Sequence, residues 1–77
     1  MEPDAIKSLL HEHITNATID VTVEGSHVAV HVVSDDFEGL NTLKRHQKVY
    51  SVLSEHIASG VIHAVNMKTF TLQESSL

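Results

Sequence analysis

Ile19-Asp20-Val21-Thr22-Val23-Glu24-Gly25-Ser26-His27-Val28-Ala29-Val30-His31-Val32 decides the fold. Before the glycine, β-branched apolar residues (Ile19, Val21, Val23) alternate with Asp20, Thr22 and Glu24. After it, Val28, Val30 and Val32 alternate with Ala29 and His31. A repeat of two is the side-chain period of an extended strand, and β-branched residues pack well on that pleated surface. Glu24-Gly25-Ser26 supplies a turn between the two runs. The stretch therefore predicts a hairpin with one apolar face.

Working outward, Pro3 to about Thr15 carries Ile6, Leu9, Leu10 and Ile14 at helical spacing. Pro3 suits a first helical turn, Glu2 and Asp4 favour the positive end of the helix dipole, and Asn16 is a stop signal. Ser34 to Gly39 is polar apart from Phe37 and reads as a loop. A second helix is predicted from about Asn41 to Ala58, with Leu43, His46, Tyr50, Leu53 and Ile57 on one stripe, flanked by Val49 and Val52. Ser59-Gly60 ends it, and Val61 to Met67 reads as a third strand. Thr71-Leu72-Gln73-Glu74 has capping-box spacing and predicts a short last helix of about one turn. The order is α-β-β-α-β with a short terminal helix. A helical crossover makes the third strand parallel to one strand of the hairpin. The expected class is α+β: a three-stranded mixed sheet, both long helices on one face, the other face more polar and open.

The 77 residues bound the function as well. They fit one domain with a thin core and leave little room for an enclosed substrate pocket. There is no cysteine, which excludes disulfides and any metal or iron–sulfur site built from this chain's own thiolates. Met1-Glu2-Pro3-Asp4 lacks the basic start and apolar core of a signal peptide. No apolar run reaches the length of a membrane span, so the expected location is the cytoplasm. The formal net charge is −5, yet four of the five basic residues (Lys44, Arg45, Lys48 and Lys68) lie in the second half.

Three segments are more specific. Phe37-Glu38-Gly39 precedes Leu43-Lys44-Arg45-His46, then Val49-Tyr50 and Leu53. Ile62-His63-Ala64 is followed by Lys68-Thr69, and Gly25-Ser26-His27 lies between the first two strands. Together, over roughly residues 4–74, these resemble the BolA family, whose fold is similar to class II KH domains. The Gly-Ser-His form of the loop is most like the family's IbaG (YrbA) branch, and it offers histidine where some relatives use cysteine. The resemblance implies a non-enzymatic partner of a monothiol glutaredoxin, monomeric when free and heterodimeric with that partner. The pair would share a [2Fe–2S] cluster in iron–sulfur cluster handling or iron signalling. His63 would be a ligand, and His27 a second ligand or a nearby group. The glutaredoxin cysteine and glutathione would supply the thiolates that this chain lacks, so no cluster is expected on the protein alone.

The residues alone leave plainer readings open. His63, between apolar neighbours, fits a partly buried strand histidine that shares a face with Val65 and Met67. His27 fits a solvated turn residue. The two converge only if the hairpin turn curls towards the start of the third strand. His31 is expected at solvent or at the sheet edge, and His46 is expected to pack the second helix against the loop carrying Phe37. His11, His13 and His56 are expected at the surface. His11 and His13, two apart, fall on different helix faces and do not make a zinc pair.

Lys44, Arg45 and Lys48 read as a solvated helix face. Their alternative is phosphate contact, in a nucleic-acid-binding transcriptional regulator with a KH-like fold. That reading lacks the G-x-x-G loop such domains use and is poor in aromatic residues for stacking. Phe37 and Tyr50 read as packing residues, the Tyr50 hydroxyl reaching the surface. No nucleophile elbow surrounds Ser34, Ser51 or Ser54, and no paired-acid spacing defines a reaction.

Overall fold

The computed structural model describes residues 2–75. Helix α1 (Pro3–His13) leads into β1 (Ala17–Glu24) and β2 (His27–Ser34). A 3₁₀ turn (Asp35–Phe37) precedes α2 (Thr42–Ala58), and β3 (Ala64–Phe70) and the four-residue α3 (Leu72–Ser75) follow. The sheet order is β1-β2-β3, with β1 antiparallel and β3 parallel to β2. The α+β class, the mixed sheet and the terminal turn of helix are those the sequence predicts.

The hairpin closes on two residues, Gly25 and Ser26, with Glu24 opposite His27. Gly25 has φ +62°, a conformation that costs an L-residue steric energy and that tight hairpin turns of this length demand. Register then fixes the faces. Ile19 and Val32 pair across β1 and β2, and Val28, Val30 and Val32 lie beside Val65, Met67 and Thr69 of β3. With Ile6, Leu10 and Ile14, Phe37, Val49 and Leu53, and Ile62, they form the core beneath α1 and α2. The opposite face carries exposed Asp20, Thr22 and Glu24 on β1, His27 and Ala29 on β2, and Ala64, Asn66 and Lys68 on β3. That polar face is interrupted at the end remote from the hairpin, where Val33 is buried beside Phe70.

Three local expectations change. The third strand begins at Ala64 and runs to Phe70, not Val61 to Met67. The preceding residues are occupied in leaving the helix: the Ile62 amide donates to the His56 carbonyl at 3.1 Å and the His63 amide to the Ser26 carbonyl at 2.8 Å. The buried face of α2 centres on Val49 and Leu53, whereas Leu43 is 65% and Tyr50 46% exposed. The stripe turns away from Leu43 because Arg45 points inward there, its guanidinium held by polar partners. β2 extends through Ser34, whose buried hydroxyl donates to the Thr15 carbonyl (2.6 Å) and accepts from the Asp36 amide (3.0 Å).

Candidate functional site: a histidine pair at the hairpin end

His27 is the first residue of β2. It lies exposed on the open face, opposite Glu24 and beside Ala64. The Ser26 carbonyl just before it accepts from the His63 amide at 2.8 Å and lies 3.5 Å from the Ala64 amide. The hairpin turn thus reaches the start of β3. His63 is one position before His27's neighbour in the ladder, and its side chain is exposed.

The expected shared face with Val65 and Met67 is not found. Ile62, 1% exposed, enters the core just before the strand, whereas His63 points outward. The alternation that would have turned His63 inward starts only at Ala64.

Two exposed imidazoles offer donor nitrogens, but they do not complete a metal site. Among the described residues, no group of three or more His, Cys, Asp or Glu side chains is placed to hold a metal ion. A shallow depression of about 670 Å³ opens on the polar face beside His27, over the small side chains of Ala29 and Ala64, and His63 is not among its lining residues.

The basic residues divide. Arg45 is enclosed: its Nε donates to the Leu40 carbonyl (2.8 Å), and its Nη1 and Nη2 grip Glu74 at 2.6 and 3.3 Å. Its guanidinium carbon stands 6.0 Å from the centre of the Phe37 ring. Fixing α2 to the Phe37 loop, the task expected of His46, therefore falls to Arg45. His46 is half-buried instead beside a small hollow with Tyr50 and Met67. Lys44 is exposed, and Lys48 is half-buried within electrostatic reach of Asp36.

Glu74 also closes the predicted capping box. Its carboxylate accepts from the Thr71 amide (2.8 Å), and its own amide donates to Thr71 Oγ1 (3.1 Å). The Arg45 guanidinium, followed by the Thr71 amide, holds its carboxyl below the ordinary carboxylate range. Asp36 accepts from the Thr15 amide (3.0 Å) and hydroxyl (2.9 Å), and these two bonds, the amide first, lower its pKa. Of the remaining histidines, His31 is half-buried on the central strand with its ring 5.2 Å from that of Phe70. His11 and His13 are exposed as expected, and His56 is half-buried. The Thr15–Ser34–Asp36 knot escapes sequence reasoning, since nothing local distinguishes these residues from ordinary loop polars. The Arg45–Glu74 pair was half-signalled by the capping box.

The fold is an α+β domain with a mixed three-stranded sheet, one open face and two exposed histidines near its hairpin end. The chain belongs to the BolA-like protein family, whose profile matches residues 5–74. It is 38% identical over 74 residues to the acid stress protein IbaG of Escherichia coli, covering 96% of this chain and 88% of that one. It is 43% identical over 49 residues to the E. coli DNA-binding transcriptional regulator BolA, covering 64% of this chain and 46% of the other. Among solved structures, a BolA homologue from Coxiella burnetii superposes with a TM-score of 0.85 at 29% identity, covering 100% and 99% of the two chains. The BolA domain of SufE1 from Arabidopsis thaliana gives 0.84 at 25%, covering 94% and 93%. None of these relatives bears the name of a catalytic family. Among the described residues, no helix is long and apolar enough to cross a membrane.

Proposed function

We propose that this protein is a binding partner and not an enzyme. In the cytoplasm it contributes His63, with His27 beside it, to a [2Fe–2S] cluster shared with a monothiol glutaredoxin and glutathione. The observation that carries this reading is the placement of both histidines, exposed, at the hairpin end of the sheet, where the Ser26 carbonyl accepts from the His63 amide. Iron–sulfur clusters are held mainly by thiolates, and imidazole replacing thiolate on one iron raises the potential. A chain without cysteine meets that chemistry only as a junior ligand. It binds and orients through its own residues and requires a cysteine-bearing partner. The family membership supports the same reading, as does the similarity to a BolA domain within SufE1.

The test is visible absorption and circular dichroism of the protein mixed anaerobically with a monothiol glutaredoxin, glutathione, iron and sulfide. A spectrum distinct from that of glutaredoxin alone is expected. His63→Ala should abolish the distinction while leaving the fold intact, because an exposed ring contributes little to packing. An identical spectrum with and without the protein removes the proposal. His27→Ala tests the second ligand in the same way.

Nucleic-acid binding is the second reading, favoured by the name of the E. coli regulator. It rests on fewer cations than the sequence promised, since Arg45 is engaged by Glu74. Titration of DNA and RNA at low salt decides it. Binding that weakens on replacing Lys44 and Lys48, and falls steeply with salt, supports it, and no binding eliminates it.

A further inference from the structure

We infer that Gly60 is a positioning residue for His63, keeping open the space around its Nε2 nitrogen; the functional meaning of that space rests on the ligand role proposed above. Helix α2 ends by a left-handed cap. Gly60 has φ +83°, and its amide donates to the Ile57 carbonyl at 3.2 Å. A cap of this type reverses the chain within a few residues and favours glycine. Here the reversal places His63 beside the residue that causes it. A β-carbon built on Gly60 would stand 4.0 Å from His63 Nε2 and, adjoining residues apart, within 4 Å of no other described heavy atom.

The backbone on either side of His63 is pinned. The Ile62 amide is bonded to His56 at the end of α2, and the His63 amide to Ser26 in the hairpin turn. The α-carbon of His63 therefore has little freedom to retreat from a side chain introduced at 60. A metal bound to imidazole sits about 2.0–2.1 Å from the nitrogen and brings further ligands around it. A side chain reaching beyond a methyl at 60 contests that volume. Glycine thus serves two requirements at one position: the left-handed turn, and an unencumbered ring nitrogen.

The two requirements separate experimentally. Asparagine tolerates the left-handed conformation better than most residues, so Gly60→Asn largely keeps the turn while filling the space. Gly39→Asn is the matched control, since Gly39 has φ +76° and a β-carbon there meets nothing within 4 Å. The readout on the free, full-length protein is carbethoxylation of His63 by diethyl pyrocarbonate, followed by peptide mass spectrometry with His27 as internal reference. His63 should react several-fold more slowly in G60N than in wild type or G39N, with His27 unchanged in all three. Equal His63 rates in the three proteins overturn the inference. Should G60N not fold, Gly60→Asp carries the same comparison, since aspartate also reaches beyond a methyl and also tolerates the left-handed region.

A second arm tests the deeper claim. G60N mixed with glutaredoxin, glutathione, iron and sulfide should give a cluster spectrum altered from wild type, while G39N should not. If wild type itself gives no shared cluster, the proposed function fails and the carbethoxylation difference still decides the role of Gly60. If wild type gives the cluster and G60N gives the same spectrum, Gly60 does not position the ligand.

Discussion

At the scale of single residues, an exposed side chain and an enclosed one divide function from stability. His63 is exposed, so its loss should change binding and leave the melting temperature near that of wild type. Arg45 is the reverse case. Its side chain is only 13% exposed, and it satisfies the Leu40 carbonyl and both carboxylate oxygens of Glu74. Arg45→Met retains most of the apolar stem but strands the part-buried Leu40 carbonyl, and an unsatisfied buried polar group costs about 1–3 kcal/mol, the lower end applying to a group that water partly reaches. Chemical denaturation should report a loss in that range. Arg45→Lys should recover only part of it, because an ammonium cannot span both oxygens of Glu74 and still reach Leu40. A variant as stable as wild type would show that the guanidinium contacts carry no net stability. Sequence placed Arg45 on a solvated face because charge on a helix usually is solvated. What brings it inward is Glu74, twenty-nine positions away, and no window of local pattern reaches so far.

At the scale of elements, the hairpin was the most legible part of the chain, because period-two patterning and a glycine turn both specify it. The start of β3 was the least legible. Val61-Ile62-His63 is as apolar and β-branched as the strand that follows, yet it precedes the ladder, with the Ile62 amide bonded to the His56 carbonyl and the His63 amide to the Ser26 carbonyl. That boundary decides whether His63 faces the core or the solvent, so the candidate site was readable in its residues but not in its orientation. The same bonds make the hairpin turn part of the site. Gly25→Ala places an L-residue at φ +62°, a conformation that costs roughly 1–2 kcal/mol. The strain falls on the turn whose next carbonyl, that of Ser26, accepts from His63. The expected outcome is modest destabilisation in urea together with faster hydrogen exchange at the His63 amide. Unchanged exchange there would mean that the turn and the ligand strand are held independently.

At the scale of the whole molecule, polar support is segregated by position along the sheet. The Thr15–Ser34–Asp36 knot and the Arg45–Glu74–Thr71 latch both lie at the end where β2 and β3 finish, whereas His27 and His63 lie at the end where these strands begin. Both knots depend on carboxylates whose pKa values are depressed below the ordinary 3.8 for Asp36 and 4.5 for Glu74. The direction of the linkage follows. In the unfolded chain these groups bind protons more readily, so their contribution to stability is complete above the ordinary carboxylate range. It disappears as pH falls through the lowered folded values. Acid should therefore loosen the far end of the sheet first. In hydrogen exchange at decreasing pH, corrected for the intrinsic rate, the Thr15 and Thr71 amides should lose protection before the His63 amide does, because its acceptor is a backbone carbonyl with no proton to gain. The double variant Asp36→Asn, Glu74→Gln should be less stable at neutral pH and should show a flatter dependence of stability on pH between about 5 and 2. Simultaneous loss of protection at both ends, with the same pH slope in wild type and double variant, would mean that the sheet unfolds as one unit in acid and that these two carboxylates do not govern it.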